Sequence, residues 1–202
     1  MVDTAVALVQ SYLYMNGYFT VTEYPILELL ETGEYRIITD VDVLALRFPG
    51  AGRVDPRDTR TGIVVPPDPE LGPSTSQIDV IIAEVKEGRA DLNRNAKDPD
   101  VLRAVLHRFG DMDPAVLDQL VDQLQHDGEA SHPAGLRARL LCFGSRPPKD
   151  KTARHQYLLL GHLSSFMRER LSSQWEAARA IQSKDPALSF LLMLEKAARG
   201  DV

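Results

Sequence analysis

With 202 residues, 44% hydrophobic and 26% charged, the chain has the length and make-up of one globular domain, or of one domain with an appended helical piece. A net charge of −6 and a pI of about 5.4 exclude a protein that holds nucleic acid through its bulk charge, so any such contact needs a local basic surface. The single cysteine, Cys142, excludes an internal disulfide framework, and no apolar stretch is long enough to span a bilayer.

Ala5, Leu8, Val9, Tyr12 and Leu13 recur at helical spacing and predict an opening helix that Asn16-Gly17 ends. The acid at Asp3, with no basic run before an apolar stretch, argues against a signal peptide, and the expected location is the cytoplasm. Tyr18 to Tyr24 alternates and is rich in aromatic and β-branched residues, which predicts a first strand that Pro25 limits. Tyr35 to Phe48 predicts a stronger second strand. From residue 49 to residue 77 prolines, glycines and charges replace the periodicity, and the expectation is a flexible loop insertion. Ile78 to Lys86 is the third strand.

A loop from Gly88 leads into a helix that ends near Phe109, with Pro99 close to its start and Val101, Leu102, Val105 and Leu106 as its apolar stripe. A second helix covers about Pro114 to Gln125. The segment from Asp111 to Glu129 holds acids and no Lys or Arg, so it is expected to lie away from any nucleic-acid path. Leu136 to Phe143 predicts a fourth strand, with Cys142 as a core residue, followed by a polar turn from Gly144 to Lys151. Gln156 to Leu160 predicts a short fifth strand. A helix from about Gly161 to Ala180 follows, and residues 181–202 form a C-terminal helical extension. The order implies an α/β domain around a mixed sheet flanked by helices.

Two strands carry the chemistry. Thr39-Asp40-Val41-Asp42-Val43-Leu44-Ala45-Leu46 and Ile78-Asp79-Val80-Ile81-Ile82-Ala83-Glu84-Val85-Lys86 are apolar, β-branched runs of the kind buried on both faces, interrupted by charge. Charges there are costly unless they are paired or bind a cation. Alternation puts Asp40 and Asp42 on one face with Leu44 and Leu46, and Glu84 and Lys86 on one face with Val80 and Ile82. Asp79 faces away from Glu84 and is given no catalytic role. If the strands are neighbours, the carboxylates of Asp40, Asp42 and Glu84 meet the Lys86 ammonium. Hard oxygen ligands of this kind suit Mg²⁺ or Mn²⁺. His107, His126, His132, His155 and His162 lack zinc-type spacing.

Asp42 in Asp42-Val43-Leu44-Ala45, followed by Glu84-Val85-Lys86, resembles the PD-(D/E)xK nuclease superfamily, whose fold is restriction-endonuclease-like. The resemblance covers roughly residues 1–170. It implies a metal-dependent nuclease hydrolysing phosphodiester bonds, with DNA as the expected substrate in repair or in defence. Asp42, Glu84 and Lys86 would be catalytic, the two carboxylates would bind Mg²⁺ or Mn²⁺, and the lysine would act at the attacking water. Many members carry a further acid on the first helix. Here that helix has only Asp3 at its start, with Gln10 nearer the expected place, and Asp40 is the carboxylate that would fill the gap.

Arg137 to Arg154 is the most basic stretch, and Arg146, Lys149, Lys151 and Arg154 are the residues expected to touch nucleic acid, with Arg89, Arg94 and Lys97 extending that surface. A solvated loop is the competing reading. Trp175 and Phe166 fit helical core spacing better than base stacking. The alternative function is a catalytically inactive nucleic-acid-binding or interaction subunit of the same fold. The acidic net charge leaves room for a homodimer or a partner protein that supplies target binding.

Overall fold

The computed structural model describes residues 3–54, 63–150, 152, 154–180 and 182–200, with the backbone alone at 53, 54, 63 and 64. Helix α1 (Thr4–Met15) begins where the Asp3 carboxylate accepts the amides of Ala5 and Val6, and it ends before Gly17, whose φ of 83° suits the left-handed turn. Strands β1 (Phe19–Leu29) and β2 (Tyr35–Arg47) form a long antiparallel hairpin. A two-stranded ribbon, β3 (Arg53–Val54) and β4 (Ile63–Val64), precedes the central strand β5 (Ile78–Arg89).

After a 3₁₀ turn at Asn95–Lys97 come α2 (Pro99–Arg108) and α3 (Pro114–Asp127). Strands β6 (Glu129–His132), β7 (Leu136–Arg146) and β8 (Gln156–Leu159) lead into α4 (Leu160–Ser173), α5 (Trp175–Ala178) and α6 (Pro186–Arg199). Three of these helices start at an Asp-Pro pair, in which Asp98, Asp113 or Asp185 accepts a first-turn amide and the proline occupies a position with no amide to satisfy. Among the described residues no helix is long and apolar enough to cross a membrane.

The main sheet has six strands. Its path is β1-β2-β5-β7-β6, with β8 also on β7. β5 and β7 are parallel, as are β7 and β8, while β1–β2, β2–β5 and β6–β7 are antiparallel. On one face α1, α4 and α6 bury Val43, Ala45, Ile81, Ala83, Leu141 and Phe143. On the other, α2 and α3 cover Leu44, Val80, Ile82, Ala138 and Leu140. Asp79 through Glu84 are therefore buried without a break, and exposure begins at Val85, where β5 runs out from under its helices.

Several expectations change in detail. β1 continues past Pro25 to Leu29 because it is an edge strand, where a missing amide leaves no neighbour unsatisfied. β6 is an additional strand between the second expected helix and the fourth expected strand. The expected helix from Gly161 to Ala180 divides at Gln174 into α4 and α5. Part of the 49–77 segment packs firmly: Leu71 and Asp68 are buried, and Asp68 takes hydrogen bonds from Tyr12 Oη and His162 Nε2 at 2.7 and 2.6 Å. Residues 55–62 lie outside the described residues. The C-terminal helix joins the main core through Leu188, Leu191 and Leu192, and Trp175 and Ala178 belong to the same cluster.

Candidate active site

The geometry that matters is a fork between two strands. β2 pairs with β5 from Arg47↔Asp79 to Val43↔Ala83 and then stops, although β2 continues with β1 as a two-stranded arm out to Tyr35↔Leu29. The next rung would set Asp42 opposite Glu84. There the Asp42 side chain takes over from the backbone: its Oδ2 accepts the Val85 amide at 2.6 Å. Strict alternation also fails at this point, since Val41 and Leu44 pack in the same cluster while Val43 packs in the other. The Asp42 carboxylate is thus aimed sideways, toward β5, rather than simply onto a face.

Glu84 is buried, with 6% of its surface exposed, and its Oε1 accepts from both Lys86 Nζ and Asn93 Nδ2, the latter at 2.7 Å. No described residue donates to Oε2. Thr39, Asp40, Val41, Ile82, Ala83, Glu84, Asn93, Ala96 and Val101 line a small cleft between the departing arm and the start of α2. Asp40 itself is exposed, near enough to add to the negative potential at Asp42.

The electrostatics follow from these positions. Burial raises the Asp42 carboxyl above its ordinary range, against the pull of the Val85 amide and the Lys86 charge. Burial likewise raises Glu84, and Asp42 adds to it, while Lys86 and Asn93 oppose. Burial works against the Lys86 ammonium, but the Glu84 bond and the two carboxylates prevail and its pKa rises. Behind them Cys142, paired in register with Glu84, has its thiol pushed up to about 12 by burial and by Glu84. It is a core residue, as expected.

Two acids that the sequence reading did not place in the site come close to it. Glu23 stands opposite Asp42 on β1 with φ of 53°, and its carboxyl is raised first by burial and then by Asp42, Asp3 and Asp40. Asp3, at the start of α1, is the acid of that helix that reaches Asp42, although its carboxylate is engaged in capping. Gln10 lies half-buried farther along α1. Among the described residues no three His, Cys, Asp or Glu side chains form a ready-made metal cage. Two carboxylates, each with one oxygen held and the other available, nevertheless match what Mg²⁺ asks of a protein, since water and phosphate oxygens complete its shell.

Asp79, on the opposite face from Glu84, is fully buried against Arg139. That corrects the reading of the basic stretch. Arg139 is a core residue, and Arg137 is bound two-pronged to Glu129 at 2.7 Å on each nitrogen. Arg154 is exposed and pairs with Asp127 at 2.9 Å at the end of α3. Lys151 lies outside the described residues. Arg146 and Lys149 are exposed, and Arg146 is the register partner of Arg89 on β5, two positions past Gly144, itself opposite Lys86. Comparison with known proteins returns no match, whether among family models, curated proteins or solved structures.

Proposed function

We propose that this protein is a divalent-metal-dependent nuclease of the PD-(D/E)xK type, with a restriction-endonuclease-like arrangement of its sheet. The observation that carries this reading is the convergence of Asp42, Glu84 and Lys86 at the point where β2 leaves β5. In a fully paired sheet those side chains would be a stability cost. At a fork beside a cleft they form an anionic pair with an ammonium next to it. Asp42 and Glu84 would hold Mg²⁺ or Mn²⁺ through their available oxygens, and the ion when bound supplies Lewis-acid polarisation of a phosphodiester.

Lys86 has 37% of its side chain exposed and reaches from Glu84 toward solvent, where its ammonium can orient an attacking water or offset charge growing on the phosphoryl oxygens. Arg89 and Arg146 supply a local basic edge that the net charge of −6 does not. Like charges side by side on adjacent strands are unfavourable by themselves, and a phosphate between them removes the conflict. DNA is the proposed substrate.

The test is cleavage of single-stranded, duplex and branched DNA, and of RNA, with Mg²⁺ or Mn²⁺. Glu84→Ala, Asp42→Ala and Lys86→Ala should each lower cleavage by at least about 100-fold, the scale for losing one charge-stabilising group, while circular dichroism stays unchanged. A folded Glu84→Ala variant that cleaves as well as wild type would refute the site. Metal-dependent binding without cleavage of any form would favour the inactive binding subunit.

A further inference from the structure

We infer that Asn93 is a positioning residue that fixes Glu84 as a one-oxygen ligand and thereby sets the preference for small divalent cations over Ca²⁺; this rests on the metal-site reading above. The amide has one orientation. Its Oδ1 accepts the Ala96 amide at 2.7 Å, which leaves Nδ2 as the end facing Glu84 Oε1, also at 2.7 Å. With Asn93 and Lys86 both on Oε1, Oε2 is the oxygen presented to a ligand.

The segment that carries Asn93 is braced from three sides. Ala90 donates its amide to the Arg146 carbonyl at 2.9 Å, and its own carbonyl takes the ring of buried His155 at 3.2 Å. Asp91 accepts the Lys149 amide at 2.9 Å. Gln125 on α3 donates to the Lys97 carbonyl at 2.7 Å. The close approach also depends on Gly144, where a Cβ would meet the Ala90 nitrogen at 2.7 Å. A surface loop with no task does not need this bracing, whereas a side chain that must hold a carboxylate at one angle does.

The chemical consequence follows from cation size. Mg²⁺ takes octahedral oxygens at about 2.0–2.1 Å, whereas Ca²⁺ takes more ligands at about 2.3–2.6 Å and readily uses both oxygens of a carboxylate. Holding Oε1 away from the ion disfavours the two-oxygen mode.

Calorimetric titration of the full chain with Mn²⁺, Mg²⁺ and Ca²⁺ tests this in wild type, Asn93→Ser and Asn93→Ala. Serine retains an acceptor for the Ala96 amide but is too short to donate to Glu84. The expected result is Mn²⁺ binding weakened by about 10–100-fold in both variants, the range for losing an outer-sphere partner, with the Mn²⁺-to-Ca²⁺ affinity ratio reduced. A general loosening of the fold would lower both affinities together and leave the ratio in place. If wild type binds Mn²⁺ and Asn93→Ser keeps both affinity and ratio, the role of Asn93 is refuted while the metal site stands. If wild type binds no divalent cation, the metal site is refuted and this inference falls with it.

Discussion

Arg139→Met should destabilise the protein by about 4 kcal/mol. The guanidinium is 2% exposed, and it donates to Asp79 Oδ1 at 3.1 Å, Asp79 Oδ2 at 2.7 Å, the Leu71 carbonyl at 2.7 Å, Gln156 Oε1 at 2.6 Å and the Tyr18 hydroxyl at 3.1 Å. Methionine fills much of the space and none of these bonds. What remains is an Asp79 carboxylate with no exposed surface, held by the Tyr18 hydroxyl at 2.6 Å and the Ser74 amide at 3.2 Å. Removing one partner of a buried ion pair costs about 3–5 kcal/mol, and an orphaned carbonyl such as Leu71's adds about 1–3 kcal/mol where water cannot reach it.

A loss of about 4 kcal/mol is a large share of the ~5–15 kcal/mol that holds a domain together. Replacing both ions, in Asp79→Leu/Arg139→Met, should recover at least about 2 kcal/mol relative to the single variant, because no unpaired charge is left behind. Urea denaturation of wild type, both single variants and the double variant measures these values. A loss below about 1 kcal/mol for Arg139→Met, or a double variant no more stable than Arg139→Met, would refute the view that this pair locks β5 and the 65–77 segment in place.

Two further predictions concern the site. Burial raises both Asp42 and Glu84, so each contributes stability that is present below the ordinary carboxylate range and lost as pH rises through the raised value. Without metal, wild type should therefore lose stability relative to Asp42→Asn/Glu84→Gln as pH rises from about 4 to about 7, and Mg²⁺ should restore it in wild type alone. Denaturation midpoints that run parallel across that window would contradict this. Arg89→Gln/Arg146→Gln should flatten the dependence of DNA affinity on salt by about 0.7–0.9 in log–log slope for each phosphate that is no longer neutralised, and an unchanged slope would place the substrate path elsewhere.

The architecture was legible where residues report on their own backbone. Pro99 and Pro114 stood at two helix starts, the Val/Ile run of β5 announced a strand covered on both faces, and the parity of Asp79 and Glu84 set them on opposite sides. What stayed hidden depends on partners distant in sequence. Nothing in the stretch around Arg137 and Arg139 shows that one arginine enters the core and the other clasps Glu129, since a guanidinium's fate is set by the acid it meets. Asn93 was invisible for the same reason: a polar residue in a loop gives no local sign that it reaches back nine positions to a strand end. The end of alternation at Asp42 arises from the fork itself and from the left-handed backbone of Glu23 across the hairpin, which no hydrophobic pattern encodes.

β5 carries two ion pairs, and their contrast separates structure from chemistry. Asp79–Arg139 lies where helices cover both sides, and its guanidinium nitrogens and both carboxylate oxygens have partners. Such a pair is complete and has no capacity for a ligand. Glu84–Lys86 lies five residues on, where cover ends and the neighbouring strand departs. There one carboxylate oxygen is doubly held and its twin has no described donor, while Asp42 stands beside it in a site where burial disfavours both negative charges. In the function we propose, a cation would resolve that conflict, and a cation flanked by Lys86, Arg89 and Arg146 would attract a phosphodiester. The same strand thus pairs both carboxylate oxygens at Asp79 and leaves one oxygen of Glu84 without a described donor where its cover ends.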